Sequence, residues 1–335
     1  MFLVLAMENI VDINLRKKTP DLRAVADIRL ATLEDGPGRG QRILIARNAS
    51  GIAFEVAVDR GFDIANLFFK GTNIGWHSPT QMRFPVSDPG SEDGWAFMRN
   101  FDGFLVTCGL DHISRPREID ISHYNHPHLK TKTMPQHGRI STEKARLVCY
   151  GVDPNSSEIY CEGIVRQASV FGETLELHRR ITLPVVSSVL TIEDTVTNRS
   201  FYPTRHAILY HLNFGYPFLD ENLQVTGVPE PLLNSLRLDP PLPSDSYGER
   251  VDFVDSSEVA KGIVLANVDL GLSVGLSFNR GDLTKLAIWR AYQSGVFALG
   301  IEPRTDTAES RPFLIPGAAC KYSLQLAITS CVCCE

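Results

Sequence analysis

The chain has 335 residues, 21% charged and 43% hydrophobic, with a formal net charge of -6 and no basic tract. This is ordinary globular composition, sufficient for a large core, and it excludes nucleic acid and anionic membrane surfaces as partner classes. The length fits two average domains or one large all-β sandwich.

Residues 2–6 are apolar but too short to cross a bilayer, and no basic segment precedes them, so a signal peptide is not expected. No other stretch reaches transmembrane length, and a cytoplasmic protein is expected. Residues 20–27 predict a short helix with Leu22, Val25 and Ala26 on one face. From Ile28 the period changes to two, with Ile28, Leu30 and Thr32 alternating with charged and small residues. Gly36-Pro37-Gly38-Arg39-Gly40 is a turn cluster. Ile43 and Ile45 mark a second strand, and Phe54, Val56 and Val58 a third, a hairpin rhythm that predicts antiparallel sheet.

Asp59-Arg60-Gly61 closes the third strand. Arg60 is either a surface ion-pair partner or a fork of five donors aimed at a ligand. Residues 71–89 read as a long loop, with Trp76 as stacking platform or loop anchor. In residues 94–111, Trp95, Phe97, Phe101 and Phe104 surround Arg99, Asn100 and Asp102. Ring faces beside donors and acceptors suit a carbohydrate pocket; the alternative is a core edge with an internal Arg99–Asp102 salt bridge.

His123-x-x-His126-x-His128 and then His137 raise a metal-site alternative. Pro127, Pro135 and the lack of a helical i, i+4 pair weigh against it, and no metal or cofactor is expected. Phe171-Gly172-Glu173 reads as a hairpin turn. Leu175, Leu177 and Arg179 alternate, as do Leu190, Ile192, Asp194 and Val196 before a turn at Asn198-Arg199-Ser200. Residues 228–243 hold five prolines and read as a surface excursion or lid. Strands follow over 262–266, 272–278 and 286–290, then a last one through Tyr322, Leu324, Leu326 and Ile328. There is no internal repeat, P-loop, GxGxxG or GxSxG word.

Seven cysteines in a chain this long are not a disulfide framework. Cys108, Cys149, Cys161 and Cys320 read as reduced core thiols. Cys331, Cys333 and Cys334 form an oxidisable tail expected to be disordered.

The stretch Ile208-Leu209-Tyr210-His211-Leu212-Asn213-Phe214-Gly215-Tyr216-Pro217 reads as a strand with two characters. Ile208, Tyr210, Leu212 and Phe214 form an apolar face; Leu209, His211 and Asn213 place an imidazole beside a carboxamide on the other. That pair is either an internal hydrogen-bond site or a substrate grip. His206 is expected on the His211 side as a supporting partner. Phe297-Ala298-Leu299-Gly300-Ile301-Glu302-Pro303 is a second short strand, ending in a carboxylate whose backbone the following proline keeps extended.

Together these two strands resemble the aldose 1-epimerase (galactose mutarotase) family, and Gln136-His137-Gly138-Arg139 resembles its earlier His-Gly motif. Asp59-Arg60-Gly61-Phe62-Asp63-Ile64, Arg99-Asn100-Phe101-Asp102-Gly103, His137-Gly138-Arg139-Ile140 and Gly300-Ile301-Glu302-Pro303 resemble an uncharacterised branch of that superfamily, a domain of unknown function. The resemblance runs from about residue 20 to about residue 328. It implies a mainly β fold, a large antiparallel mutarotase-like supersandwich. Residues 20–328 would form a single domain, after an N-terminal extension (1–19) and before a Cys-rich tail (329–335).

The resemblance also implies a chemistry. Anomer interconversion opens the sugar ring: one group takes the proton of the anomeric hydroxyl and another gives a proton to the ring oxygen. Glu302 is implied as the base and His211 as the acid, on opposite sides of the sugar. His137 would orient it, and Arg60 would be a further contact. Arg99, Asn100 and Asn213 are candidate substrate contacts from their surroundings, and Trp289 packs either in the core or against substrate. Gly138 would let the ligand approach the backbone. The family's substrate-gripping aspartate has three candidates, Asp102, Asp282 and Asp306, and Ala318 stands where the family often has an acidic residue. The expected partner is a small-molecule sugar bound by a monomer or homodimer, without cofactor. The rivals are a sugar sensor on the same fold, a shifted sugar isomerase, and a metal-dependent enzyme using the His123–His137 cluster.

Overall fold

The computed structural model describes residues 17–85, 88–153 and 155–330, and the cysteine tail and apolar residues 2–6 lie outside them. In chain order the strands are β1 (Asp27–Thr32), β2 (Arg42–Arg47), β3 (Ile52–Ala57), β4 (Asp63–Phe69), β5 (Thr72–Asn73), β6 (Leu105–Leu110), β7 (Arg117–Asp120) and β8 (Thr131–Met134). Then come β9 (Ala145–Asp153), β10 (Glu158–Ala168), β11 (Thr174–Pro184), β12 (Val189–Asn198), β13 (Ala207–Phe214) and β14 (Leu223–Thr226). The helix α1 (Glu230–Leu238) precedes β15 (Arg250–Asp255), β16 (Ile263–Asn267), β17 (Leu272–Phe278), β18 (Lys285–Ala291), β19 (Ala298–Arg304) and β20 (Ala319–Ser330).

They form the expected antiparallel β-sandwich. β1 to β5 are a meander, and an eight-stranded sheet runs β14-β16-β17-β20-β12-β11-β10-β9. A five-stranded sheet runs β15-β18-β19-β13-β6, and β7 pairs with β8. One contiguous apolar core joins the three large sheets, with Phe54, Leu177, Ile192, Tyr210, Leu286 and Leu324 among its members.

The period-two reading of residues 208–214 is borne out, and the strand starts one residue earlier, at Ala207. All eight residues of β13 are buried, and the two faces differ. Ile208, Tyr210, Leu212 and Phe214 enter the main core, while Leu209 joins a second cluster with Trp76, Phe97, Phe101 and Trp289. On the core side the Tyr210 hydroxyl donates to Asp194 (2.7 Å), which holds Arg179 through two nitrogens; Arg179 also reaches Asp63 at 2.8 Å. Thr107 of β6 donates to the same Asp63 through backbone and hydroxyl. Five strands, the one that carries His211 among them, are thereby tied together beneath the site.

Several expectations change. Residues 22–24 make only a single 3₁₀ turn before β1 starts at Asp27. Leu30 is exposed on the outermost strand of the meander, although Ile28, two residues before it on the same face, is buried in the main core. Cys149 and Cys320 are half-buried, unlike Cys108 and Cys161. The proline-rich excursion contains the nine-residue α1, whose Leu232, Leu233 and Leu236 pack on the main core. Buried Arg290 clamps it, holding Asp239, Asp252 and Ser235. The helix therefore sits on the core side of β18 and does not cover the cavity described next.

Candidate active site

The opposite face of the β15-β18-β19-β13-β6 sheet floors a cavity of about 400 Å³. β13 and β19 pair antiparallel, and the partners Leu209↔Arg304 and Leu212↔Ile301 set His211 opposite Glu302. Nε2 of His211 lies 3.2 Å from Oε1 of Glu302, both side chains nearly buried. Gly300, next to the pair on the same face, makes this possible: a Cβ there would lie 2.9 Å from Cε1 of His211 and 3.1 Å from Oε1 of Glu302.

Aromatic rings wall the pair. Phe101 and Trp289 stand with ring centres 4.7 and 5.3 Å from His211. His137 faces His211 edge-on at 5.9 Å and packs on Phe97 at 4.9 Å. The Trp289 indole donates to Glu249 (3.1 Å), which brings a carboxylate to the rim. Trp76 stands in the layer behind: its indole donates to the Val296 carbonyl (2.6 Å) while its ring packs on Phe101 and Trp289, so it is a loop anchor.

The enclosed, apolar surroundings disfavour charge. Burial pushes Glu302 up to about 8, Arg304 opposing and Glu249 adding to the shift. Burial likewise holds His211 well below the usual imidazole range, with His137 adding to the effect and the Asn213 side chain opposing it. His137 is pushed down to about 3 by burial, then by His112 and Arg304. In the free pocket the pair therefore holds one proton, on Glu302, beside neutral imidazoles. Moving that proton across 3.2 Å gives the ion pair. Either form offers one acid and one base to the same ligand.

The structure gathers His211, Glu302, His137 and Trp289 in the cavity wall. Asn213 lies deeper on the same strand face, its amide donating to the Gly103 carbonyl (3.0 Å). Four expectations are corrected. Arg60 is buried behind the aromatic wall, donating to the Asn100 carbonyl and to Met82; it braces the loop that carries Phe101. Arg99 lies at the outer end of a 3₁₀ turn (Ala96–Arg99) that turns Phe97 inward, and it pairs with Glu92 at the surface and not with Asp102. Asn100 is buried at that turn's end, outside the lining. His206, just before β13, faces away from His211, bonded to the Leu110 carbonyl and the Tyr322 hydroxyl.

His211 and Glu302 stand side by side, so the expected placement on opposite sides of a sugar is also corrected. Gly138 serves the chain's own backbone: a Cβ there would lie 2.0 Å from the Gly109 carbonyl oxygen. His123 packs on Tyr124 and Phe313, and His126 accepts from the backbone of His128 and Leu129, away from His137 in the cavity. Among the described residues no three His, Cys, Asp or Glu side chains are grouped to hold a metal ion.

Of the aspartate candidates, Asp102 is buried against the Ser78 amide, and Asp282 and Asp306 line a separate surface depression. The carboxylate at the cavity rim is Glu249. Sequence reasoning missed Glu249, Arg304, Arg115 and Gln136, which also line the cavity. Arg304 had a signal, since it is two residues beyond Glu302 and must share its strand face. Glu249 had none: it follows the proline-rich excursion and reaches the site only through the pairing of β15 with β18.

Comparison with known proteins agrees with this architecture. Residues 38–315 match the family described as a domain of unknown function, DUF4432. No curated protein matches the chain. A crystal structure of a candidate aldose 1-epimerase from Klebsiella pneumoniae superposes with a TM-score of 0.78 at 21% identity, over 90% of this chain and 83% of that one. A galactose mutarotase-like protein from Clostridium acetobutylicum gives 0.60 at 15% identity, over 92% and 99% of the two chains. Galactose 1-epimerase from Lactobacillus acidophilus gives 0.57 at 14% identity, over 91% and 99%. At these identities the likeness is one of fold. Among the described residues no helix is long and apolar enough to cross a membrane. The chain belongs to the DUF4432 family, on a galactose mutarotase-like scaffold.

Proposed function

We propose that the protein is a sugar mutarotase or epimerase that acts at the anomeric carbon of an aldose through His211 and Glu302. The observation that carries this reading is the buried 3.2 Å pair on the floor of an aromatic-walled cavity. The two oxygens that exchange protons are both attached to the anomeric carbon, so an acid and a base side by side can reach them together.

Sugar hydroxyls and Arg304 favour the carboxylate form of Glu302, which leaves the proton on His211. Glu302 then takes the proton of the anomeric hydroxyl as His211 gives its own to the ring oxygen. The bond from that carbon to the ring oxygen breaks, giving the open aldehyde. Rotation about the adjoining carbon–carbon bond presents the other aldehyde face, and the transfers run backwards to close the ring. Proton number is conserved and the pair returns to its starting form. Neutral His137 donates to or accepts from a hydroxyl without competing for the transferred proton. Trp289 and Phe101 offer faces to the C–H surface of the ring, and Glu249 accepts from hydroxyls at the rim.

The test is Glu302→Gln, with anomer exchange followed by polarimetry and sugar binding by calorimetry. The reading expects exchange lost and binding retained. Full exchange in the variant removes Glu302 from the mechanism. Sugar binding by the wild type without any acceleration of exchange favours the non-catalytic sensor.

A further inference from the structure

Among the described residues four arginines are buried: Arg60, Arg179, Arg290 and Arg304. Three spend their terminal nitrogens on the protein. Arg179 holds Asp63 and Asp194, Arg290 holds Asp239 and Asp252, and Arg60 donates to the Asn100 carbonyl and Met82. Arg304 differs. It is 8% exposed, only its Nε donates, to the Thr305 carbonyl (3.1 Å), and the guanidinium lies 5.6 Å from the Phe253 ring centre. Among the described residues no carboxylate comes within the 4.0 Å of an ion pair, and the residue lines the cavity. Its two terminal nitrogens have no protein partner and face the cavity, where they are open to a group that enters it.

We infer that Arg304 is a specificity-determining residue that grips a carboxylate on the substrate, so that the preferred sugar is an aldose carrying one negative charge, of the uronic acid type. The inference rests on the mutarotase reading and names its substrate class. Three observations support it. The planar fork of a guanidinium matches a carboxylate through two parallel bonds, whereas isolated hydroxyls leave half of it unused. Arg304 and Glu302 are two residues apart on one strand face, about 7 Å along the strand. That is the scale of one sugar ring: with the anomeric carbon at Glu302, the substituent on the carbon beyond the ring oxygen falls toward Arg304. The charge also balances once. The His211–Glu302 pair with its single proton is neutral, so Arg304 and the exposed Arg115, which likewise has no ion pair among the described residues, stand against Glu249 alone and leave one positive charge in the cavity, a setting that favours a single negative charge over the double charge of a phosphate.

The experiment compares anomer exchange and binding for D-galacturonate, D-glucuronate, D-galactose, D-glucose and D-galactose 6-phosphate, using wild type, Arg304→Gln and Arg304→Lys. Wild type is expected to show a kcat/KM at least tenfold higher for a uronate than for the matching neutral sugar. Arg304→Gln is expected to erase that ratio through KM, and Arg304→Lys, which keeps the charge without the fork, to retain part of it. Circular dichroism establishes that the variants are folded. Exchange of neutral aldoses at equal or higher efficiency than uronates overturns the inference and leaves mutarotation standing, as does a preference for the phosphate ester. If no sugar exchanges, mutarotation falls; calorimetry then decides separately, uronate binding lost in Arg304→Gln upholding the anion grip and its absence in wild type sinking it.

Discussion

Nε2 of His211 and Oε1 of Glu302 meet at 3.2 Å across the β13–β19 pair, buried and facing a cavity on one side only. The arrangement fixes the pH behaviour. Loss of the pair's single proton leaves a carboxylate beside a neutral imidazole, with no acid. Glu302 is pushed up to about 8, so kcat/KM is expected to fall above about pH 8. His211 is held well below the usual imidazole range, so no acid-side decline is expected near pH 6.5, where a free imidazole titrates. An initial-rate pH profile checks both limbs. A profile that declines on the acid side through pH 6.5 contradicts the assignment.

The same raised carboxyl makes a prediction about stability. A folded-state pKa of about 8, against 4.5 for the free group, means that the folded protein binds the extra proton between those values. The associated stability is present below about 4.5 and is lost as pH rises through about 8. Glu302→Gln removes this dependence. Its stability relative to wild type is expected to rise between pH 5 and pH 9, by on the order of a few kcal/mol, and its melting temperature with it. Parallel melting curves for the two proteins across that range would count against a buried, neutral Glu302.

Gly300 is predicted to be a geometric requirement of the pair. A methyl group there meets His211, Glu302 and Trp289 at 2.9, 3.1 and 3.2 Å. Gly300→Ala must push at least one of them aside by a few tenths of an ångström, and misplacing the reacting pair is expected to cost rate. Kinetics beside a melting curve should show that loss in a folded protein. Wild-type kinetics would show that the pocket has slack.

Beneath the site, Arg179 is the shared partner of Asp63 and Asp194. Arg179→Met is expected to cost roughly 3–5 kcal/mol, because two buried carboxylates lose their cation. Urea denaturation gives the number. Arg99→Ala, by contrast, removes a surface pair with Glu92 and is expected to change stability by less than about 0.5 kcal/mol and leave activity intact.

These contrasts show what was legible in the sequence. Period-two alternation separates His211 from Tyr210, and the structure places one toward the cavity and the other on Asp194. The expectation of His206 on the His211 side fails: the residue precedes β13 and lies against the Tyr322 hydroxyl. Alternation says nothing about which strands become neighbours, so the meeting of His211 with Glu302 had to come from resemblance. Polar residues among aromatics misled where backbone geometry differs from a strand: the 3₁₀ turn ending at Arg99 turns Phe97 inward and the guanidinium outward. Arg60 sits in a sugar-site word, yet its donors serve a carbonyl that holds the Phe101 loop. Glu249 and Arg115 come from segments with no periodic pattern, and only the closed fold brings them to one cavity.

The central claim is acid–base exchange at an anomeric carbon. Saturation-transfer NMR of anomeric protons, run across free aldoses and uronates with wild type and His211→Asn, tests it most directly. Exchange that wild type accelerates and His211→Asn does not is the predicted result. A folded wild type that accelerates no sugar, or a variant that matches it, would contradict the account.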